Sequence, residues 1–199
     1  MEGQELMLLA FLFQYIMTGM EISVKNAPAW RISMEIERKF LVSHIPEDTD
    51  SYKCRFIEQG YLSTSPVVRV RRDNDNYYLT YKSEGFISHE EYNLELTPES
   101  YSHLLAKADG NIITKKRYEI PIEYEFYMPE EICKKYPGHP AFLTVELDVF
   151  EGVFTGTVLA EVEFDTEDEA EFFIPPDWFT EDVSMSTEYY NSTMSQKEF

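Results

Sequence analysis

The chain has 199 residues and a formal net charge of −20, with 17 Lys and Arg against 37 Asp and Glu. That balance excludes nucleic-acid binding through a general basic surface, although it permits a polyanion held in a local basic pocket. A hydrophobic content of 43%, with 14 Tyr and 14 Phe, supplies the core of one β-rich domain. Cys54 and Cys133 are too few and too isolated for a disulfide framework or a thiolate metal site, which fits a reducing, cytoplasmic setting.

Residues 1–33 read as an N-terminal extension, separate from a domain over 34–199. The run "LMLLAFLFQYIM" (Leu6–Met17) is apolar except for Gln14, and it is shorter than the ~20 residues needed to span a bilayer. No Lys or Arg precedes Lys25, so the basic region of a signal peptide is absent. Three readings stay open: a start codon upstream of the native Met34, a docking helix at an oligomer interface, or a membrane-surface anchor.

From Met34 the chain alternates. In "MEIERKFLV", Glu35, Glu37 and Lys39 fall on one strand face, each ~7 Å from the next, and Ile36, Phe40 and Val42 fall on the other. Strand-like runs follow: "IEQGYLST", "VVRVRRD", "YYLTYKSE", "SHEEYNLELT", "IITKKRYEIPIEYEF", "FLTVELDVFEG" and "VLAEVEF". "DNDN" (Asp73–Asn76) reads as a hairpin turn. "TPESYSHLLAKADG" reads as a helix with Thr97 as N-cap, Pro98 in the first turn and Gly110 as stop. "DTEDEAEFF" reads as a second helix whose acidic run, Asp165–Glu171, is a solvated face. The tail after Ser184 reads as polar and partly disordered, with Tyr189 and Tyr190 as anchors, and Trp178 packs the C-terminal segment onto the sheet.

The charged faces recur. Arg69 and Arg71 share one side of their strand, Lys82 lies with Thr80 and Tyr78, and His89, Glu91, Asn93 and Glu95 lie together. Lys115 groups with Arg117 and Glu119, Glu146 with Asp148, and Glu161 with Glu163. Either a sheet shows these charges to water, or a closed barrel turns them inward. Paired carboxylates repel unless a cation lies between them, and paired cations repel unless an anion does. Arg forks also suit phosphate oxygens. Both kinds of pair in one cavity point to a metal-bound polyphosphate, with an ordinary charged surface as the alternative.

At this point the chain resembles a known family. "EIERKF" matches the ExExK signature of the CYTH superfamily, the triphosphate tunnel metalloenzymes, and "QGYL", "VRVR", "LTYKS", "KKRYEIP", "VELDVFEG", "LAEVEF" and "IPPDWF" follow in order. The resemblance implies a mainly β (α+β) fold: a closed eight-stranded antiparallel barrel with a few flanking helices, as a monomer or homodimer. By carry-over, Glu35, Glu37, Glu161 and Glu163 hold Mg²⁺ or Mn²⁺. Lys39, Arg69, Arg71, Lys82, Lys115 and Arg117 grip phosphate oxygens, and Glu146 and Asp148 serve a second metal or orient water. The implied activity is metal-dependent hydrolysis of inorganic triphosphate or a small organic triphosphate. The alternatives are a class IV adenylate cyclase, a thiamine triphosphatase, or a polyphosphate-binding module with little turnover. The chain departs from the family pattern at His89, Asn93, Glu181 and Glu188, which replace residues of other charge and are expected to weaken the phosphate shell.

Overall fold

The computed structural model describes residues 31–82 and 88–199. The expected N-terminal extension falls outside the described residues up to residue 30, and the first strand opens at Arg31 rather than Met34. Nine strands make one antiparallel sheet: β1 Arg31–Val42, β2 Lys53–Thr64, β3 Val67–Asp73, β4 Asn76–Lys82, β5 Ser88–Glu95, β6 Asp109–Glu123, β7 Phe142–Phe150, β8 Val158–Phe164 and β9 Phe179–Asp182. Among the described residues, five short helices accompany them: α1 Pro98–Leu105, α2 Tyr124–Tyr127, α3 Glu130–Lys135, α4 Glu167–Phe172 and α5 Asn191–Met194.

Local chemistry accounts for most boundaries. The β3–β4 hairpin turns over Asn74 and Asp75, with Asn74 at φ 53°, a conformation that asparagine tolerates. Thr97 caps α1 by accepting a hydrogen bond from the Ser100 N–H at 3.2 Å. That helix ends at Leu105, and Gly110, expected as its stop, lies instead in β6 at φ +71°. A Cβ there would stand 2.3 Å from the Ser195 carbonyl oxygen, so this glycine admits the C-terminal tail. β6 stops at Glu123, short of the expected Phe126, because Tyr124 turns inward and donates to Glu169 Oε1 at 2.6 Å. Glu169 is buried and also accepts from Thr166 Oγ1 at 2.9 Å, so the acidic run is docked at this residue rather than solvated throughout.

The strand order is β5-β4-β3-β2-β6-β7-β8-β1-β9, with β5 also paired to β1. The expectation of eight strands closed on one another is corrected to a nine-stranded sheet with a divided last edge. One edge of β1 pairs with β8; the other takes β5 along Arg31–Ile36 and β9 from Phe40 to Val42. Arg38 fixes β9 there by donating to Asp182 and to the carbonyls of Ala170 and Phe173.

Apolar packing lies on both sides of the sheet. The larger cluster gathers Ile36 and Phe40 of β1, Val145 and Leu147 of β7, and Val162 and Phe164 of β8 beneath Tyr124, Ile132 and Phe173. The smaller joins Tyr61, Ile113, Phe150 and Leu159, from the opposite strand face, to Phe154, Val183 and Met194. The tail expected to be partly disordered is therefore anchored by Met194, and Asn111 Nδ2 donates to the carbonyls of Ser195 and Lys197.

Candidate active site

Residues directly opposed in an antiparallel pair share a face. Lys39 opposes Glu161, and Glu37 opposes Glu163. Glu161 in turn opposes Glu146 on β7. Asp148 opposes Arg117, and Arg117 opposes Arg55 on β2. Gln59 opposes Arg71, and Tyr61 opposes Arg69. Arg69 opposes Thr80, which opposes Asn93, while Lys82 opposes Glu91. Glu35 takes the register position opposite His89. Eleven of the twelve residues expected at the site therefore occupy one face of the sheet, and the side chain of Glu35 lies outside the described residues.

At the centre of that face is a buried ion-pair network. Lys39 Nζ lies 2.8 Å from Glu161 Oε1. Arg117 donates to both oxygens of Asp148 at 2.6 Å and also reaches Glu146 and Glu161. Lys115 donates to Asp148. Burying these charges is costly, and the mutual pairing offsets that cost. Burial alone would lower the Lys39 ammonium, but Glu161 and Glu37 beside it hold it well above the ordinary lysine range. Burial likewise opposes ionisation of Glu161, and Lys39, Lys115 and Arg117 override it, keeping this carboxyl well below the usual range. Lys115 goes the other way: burial, with Arg117 adding repulsion, brings it down to about 8 despite Asp148.

Further site residues surround the network. Arg71 Nε donates to Gln59 Oε1 at 3.0 Å, and Gln59 Nε2 donates to Tyr61 Oη at 3.0 Å. Arg69 is buried, whereas Arg71 and Lys82 are half-buried. Glu37 is half-buried and Glu163 exposed, which puts this opposed carboxylate pair at the solvent side of the site. Glu161, expected as a metal ligand, pairs with Lys39 and Arg117.

A family model, the CYTH domain, matches residues 33–196. The chain belongs to the CYTH domain family. Over 164 residues it is 35% identical to an inorganic triphosphatase of Nitrosomonas europaea, a match covering 81% of this chain and 96% of the relative. It is 32% identical over 168 residues to an inorganic triphosphatase of Acetivibrio thermocellus, covering 80% and 92%. A crystal structure of an inorganic triphosphatase superposes with a TM-score of 0.59 at 31% identity, over 83% of this chain and 97% of its own. The resemblance read from "EIERKF" and the segments after it is thus borne out.

This CYTH domain also holds site residues that the alternation alone did not mark. Arg55 and Gln59 of β2 face the network, beside Glu119 of β6, which the alternation groups with Lys115 and Arg117. The strand-like run begins only at Ile57, because Lys53–Cys54–Arg55 shows no apolar alternation, whereas β2 opens at Lys53. Of the departures from the family pattern, Asn93 accepts from Thr80 Oγ1 at 2.6 Å, Glu181 is exposed on β9, and Glu188 pairs with Lys197 at 3.2 Å. The side chain of His89 lies outside the described residues. Among the described residues no three His, Cys, Asp or Glu side chains cluster to hold a metal ion, and no helix is long and apolar enough to cross a membrane.

Proposed function

We propose that the chain is a metal-dependent hydrolase of inorganic triphosphate, working in a tunnel-like interior lined by the charged face. The observation that carries this reading is the register that ranges Lys39, Arg69, Arg71, Lys82, Lys115 and Arg117 on the same face as Glu37, Glu146, Asp148, Glu161 and Glu163. The return of β1 onto β5 supports the tunnel, and the relatives named inorganic triphosphatases support the substrate.

The donor set suits Mg²⁺ or Mn²⁺. Glu37 and Glu163 are like charges directly opposed across β1 and β8, a pairing that a divalent cation would relieve. Mg²⁺ is commonly held by one or two carboxylates completed by water and substrate phosphates, so a larger protein cage is not required. Glu37 and Glu163, with Glu35 two residues along β1, would hold the ion, which when bound supplies charge neutralisation at the phosphoryl oxygens.

The remaining roles belong to the chain itself. Arg69, Arg71 and Lys82, on adjacent strands, bind and orient phosphoryl oxygens. Lys39 and Lys115 add charge where it develops during transfer. Asp148 holds Lys115 and Arg117 in place. Glu146 keeps one oxygen away from Arg117 and orients the attacking water.

The test is phosphate release from inorganic triphosphate, ATP and thiamine triphosphate, each with Mg²⁺, Mn²⁺ or EDTA, with cyclic AMP assayed in the ATP samples. Metal-dependent release fastest from inorganic triphosphate is expected. Cyclic AMP formation, or binding without turnover, would overturn the reading in favour of a cyclase or a receptor.

A further inference from the structure

We propose that Arg55 is a substrate-contacting residue whose guanidinium takes a phosphoryl oxygen of the bound polyphosphate; this rests on reading the charged face as a triphosphate site. Two arginines stand directly opposed across β6 and β2, and they are held very differently. Arg117 is saturated: both oxygens of Asp148 lie at 2.6 Å, and Glu146 and Glu161 complete its shell. Arg55 has three carboxylates around it and makes a single long hydrogen bond to them, from Nη2 to Glu146 Oε1. Asp73 lies 3.4 Å from Nη1, Glu119 3.3 Å from Nε and Glu146 3.5 Å from Nη2. Charge-assisted pairs normally close to about 2.7–2.9 Å. Nε is buried and, although within ion-pair range of Glu119, is too poorly aligned to make a hydrogen bond.

Two of those carboxylates are held elsewhere. Glu119 binds Lys53 through both oxygens at 2.9 and 3.1 Å, and Glu146 is bound by Arg117. Closing on Arg55 would stretch those pairs. Arg55 is thus a half-buried fork with unfilled donor capacity, two residues along β2 from Ile57 and four from the Gln59 that holds Arg71. A tetrahedral phosphoryl group offers oxygens at several angles and belongs to no strand, so it can meet the fork without pulling a carboxylate from its own partner.

The experiment is steady-state hydrolysis of inorganic triphosphate with Mg²⁺ by wild type, R55Q and R55K. R55Q is expected to raise KM at least about fivefold with kcat within about twofold, because a charge-assisted contact made in the ground state is lost. R55K keeps the charge without the fork and recovers part of that loss. A wild-type KM in R55Q overturns the proposal. If R55Q is too unstable to assay, R55K alone decides: a KM raised about two- to fivefold supports the fork, and a wild-type KM overturns it. Failure of the wild-type protein itself to hydrolyse or bind triphosphate would instead fall on the proposed function.

Discussion

Leu147 and Asp148 are neighbours on β7 and both are completely buried, yet their burial has opposite physics. Leu147 joins Val145, Val162 and Phe164 on the apolar face, where each methylene removed from water is favourable by itself. Asp148 points the other way, between Lys115 and Arg117, where burial is tolerable only while every charge keeps its partner. One strand thus carries a face that holds the fold together and a face that costs desolvation and is kept for chemistry. The charged face also has its own apolar end, where Tyr61, Ile113 and Leu159 meet Met194 of the tail.

The sharpest way to break the comparison is to remove one charge from the network. Asp148→Asn leaves Lys115 and Arg117 without their shared anion, and a loss of about 3–5 kcal/mol in urea unfolding is expected. A stability within about 0.5 kcal/mol of wild type would show that the network relaxes freely, unlike a buried pair. On the other face, Leu147→Ala is expected to cost about 2–5 kcal/mol while kcat/KM, measured where the variant stays folded, remains that of wild type. A lowered kcat/KM would mean that the two faces are not separable.

A subtler difference concerns protons. Lys115 is brought down to about 8 by burial and by Arg117, so near pH 8.5 much of it is uncharged. A bound polyanion favours its charged form and raises it again, so triphosphate binding should take up a fraction of a proton, up to about one. Calorimetry in two buffers of different ionisation enthalpy would show this as unequal heats. K115R, whose guanidinium stays charged, should give equal ones.

Much of this division is legible in the residues alone. The alternation in "VVRVRRD" and "VLAEVEF" coincides with β3 and β8, and it assigns Arg69, Arg71, Glu161 and Glu163 to the right face. Alternation cannot say which charged residues pair. Glu161 was expected at the metal, and its bonds to Lys39 and Arg117 come from neighbours more than forty residues away in the chain. Short or unpatterned segments were lost for a related reason. β9 is four residues, Phe179–Asp182, three of them exposed, and its place is set by Arg38 on β1 rather than by its own hydropathy. The first residues of β2 carry Arg55 inward, where a hydropathy pattern calls for an apolar side chain. Glu169 looks like any residue of an acidic helix face until Tyr124 is seen to donate to it.

The account rests most heavily on Glu37, which is half-buried and opposes Glu163 at the solvent side of the site. The decisive measurement is Mg²⁺-dependent phosphate release from inorganic triphosphate by E37Q beside wild type, with thermal unfolding of both. The account predicts a rate lower by at least about a hundredfold and a Tm within about 3 °C of wild type, as expected for loss of a charge that acts only in the site. A wild-type rate from folded E37Q would contradict it.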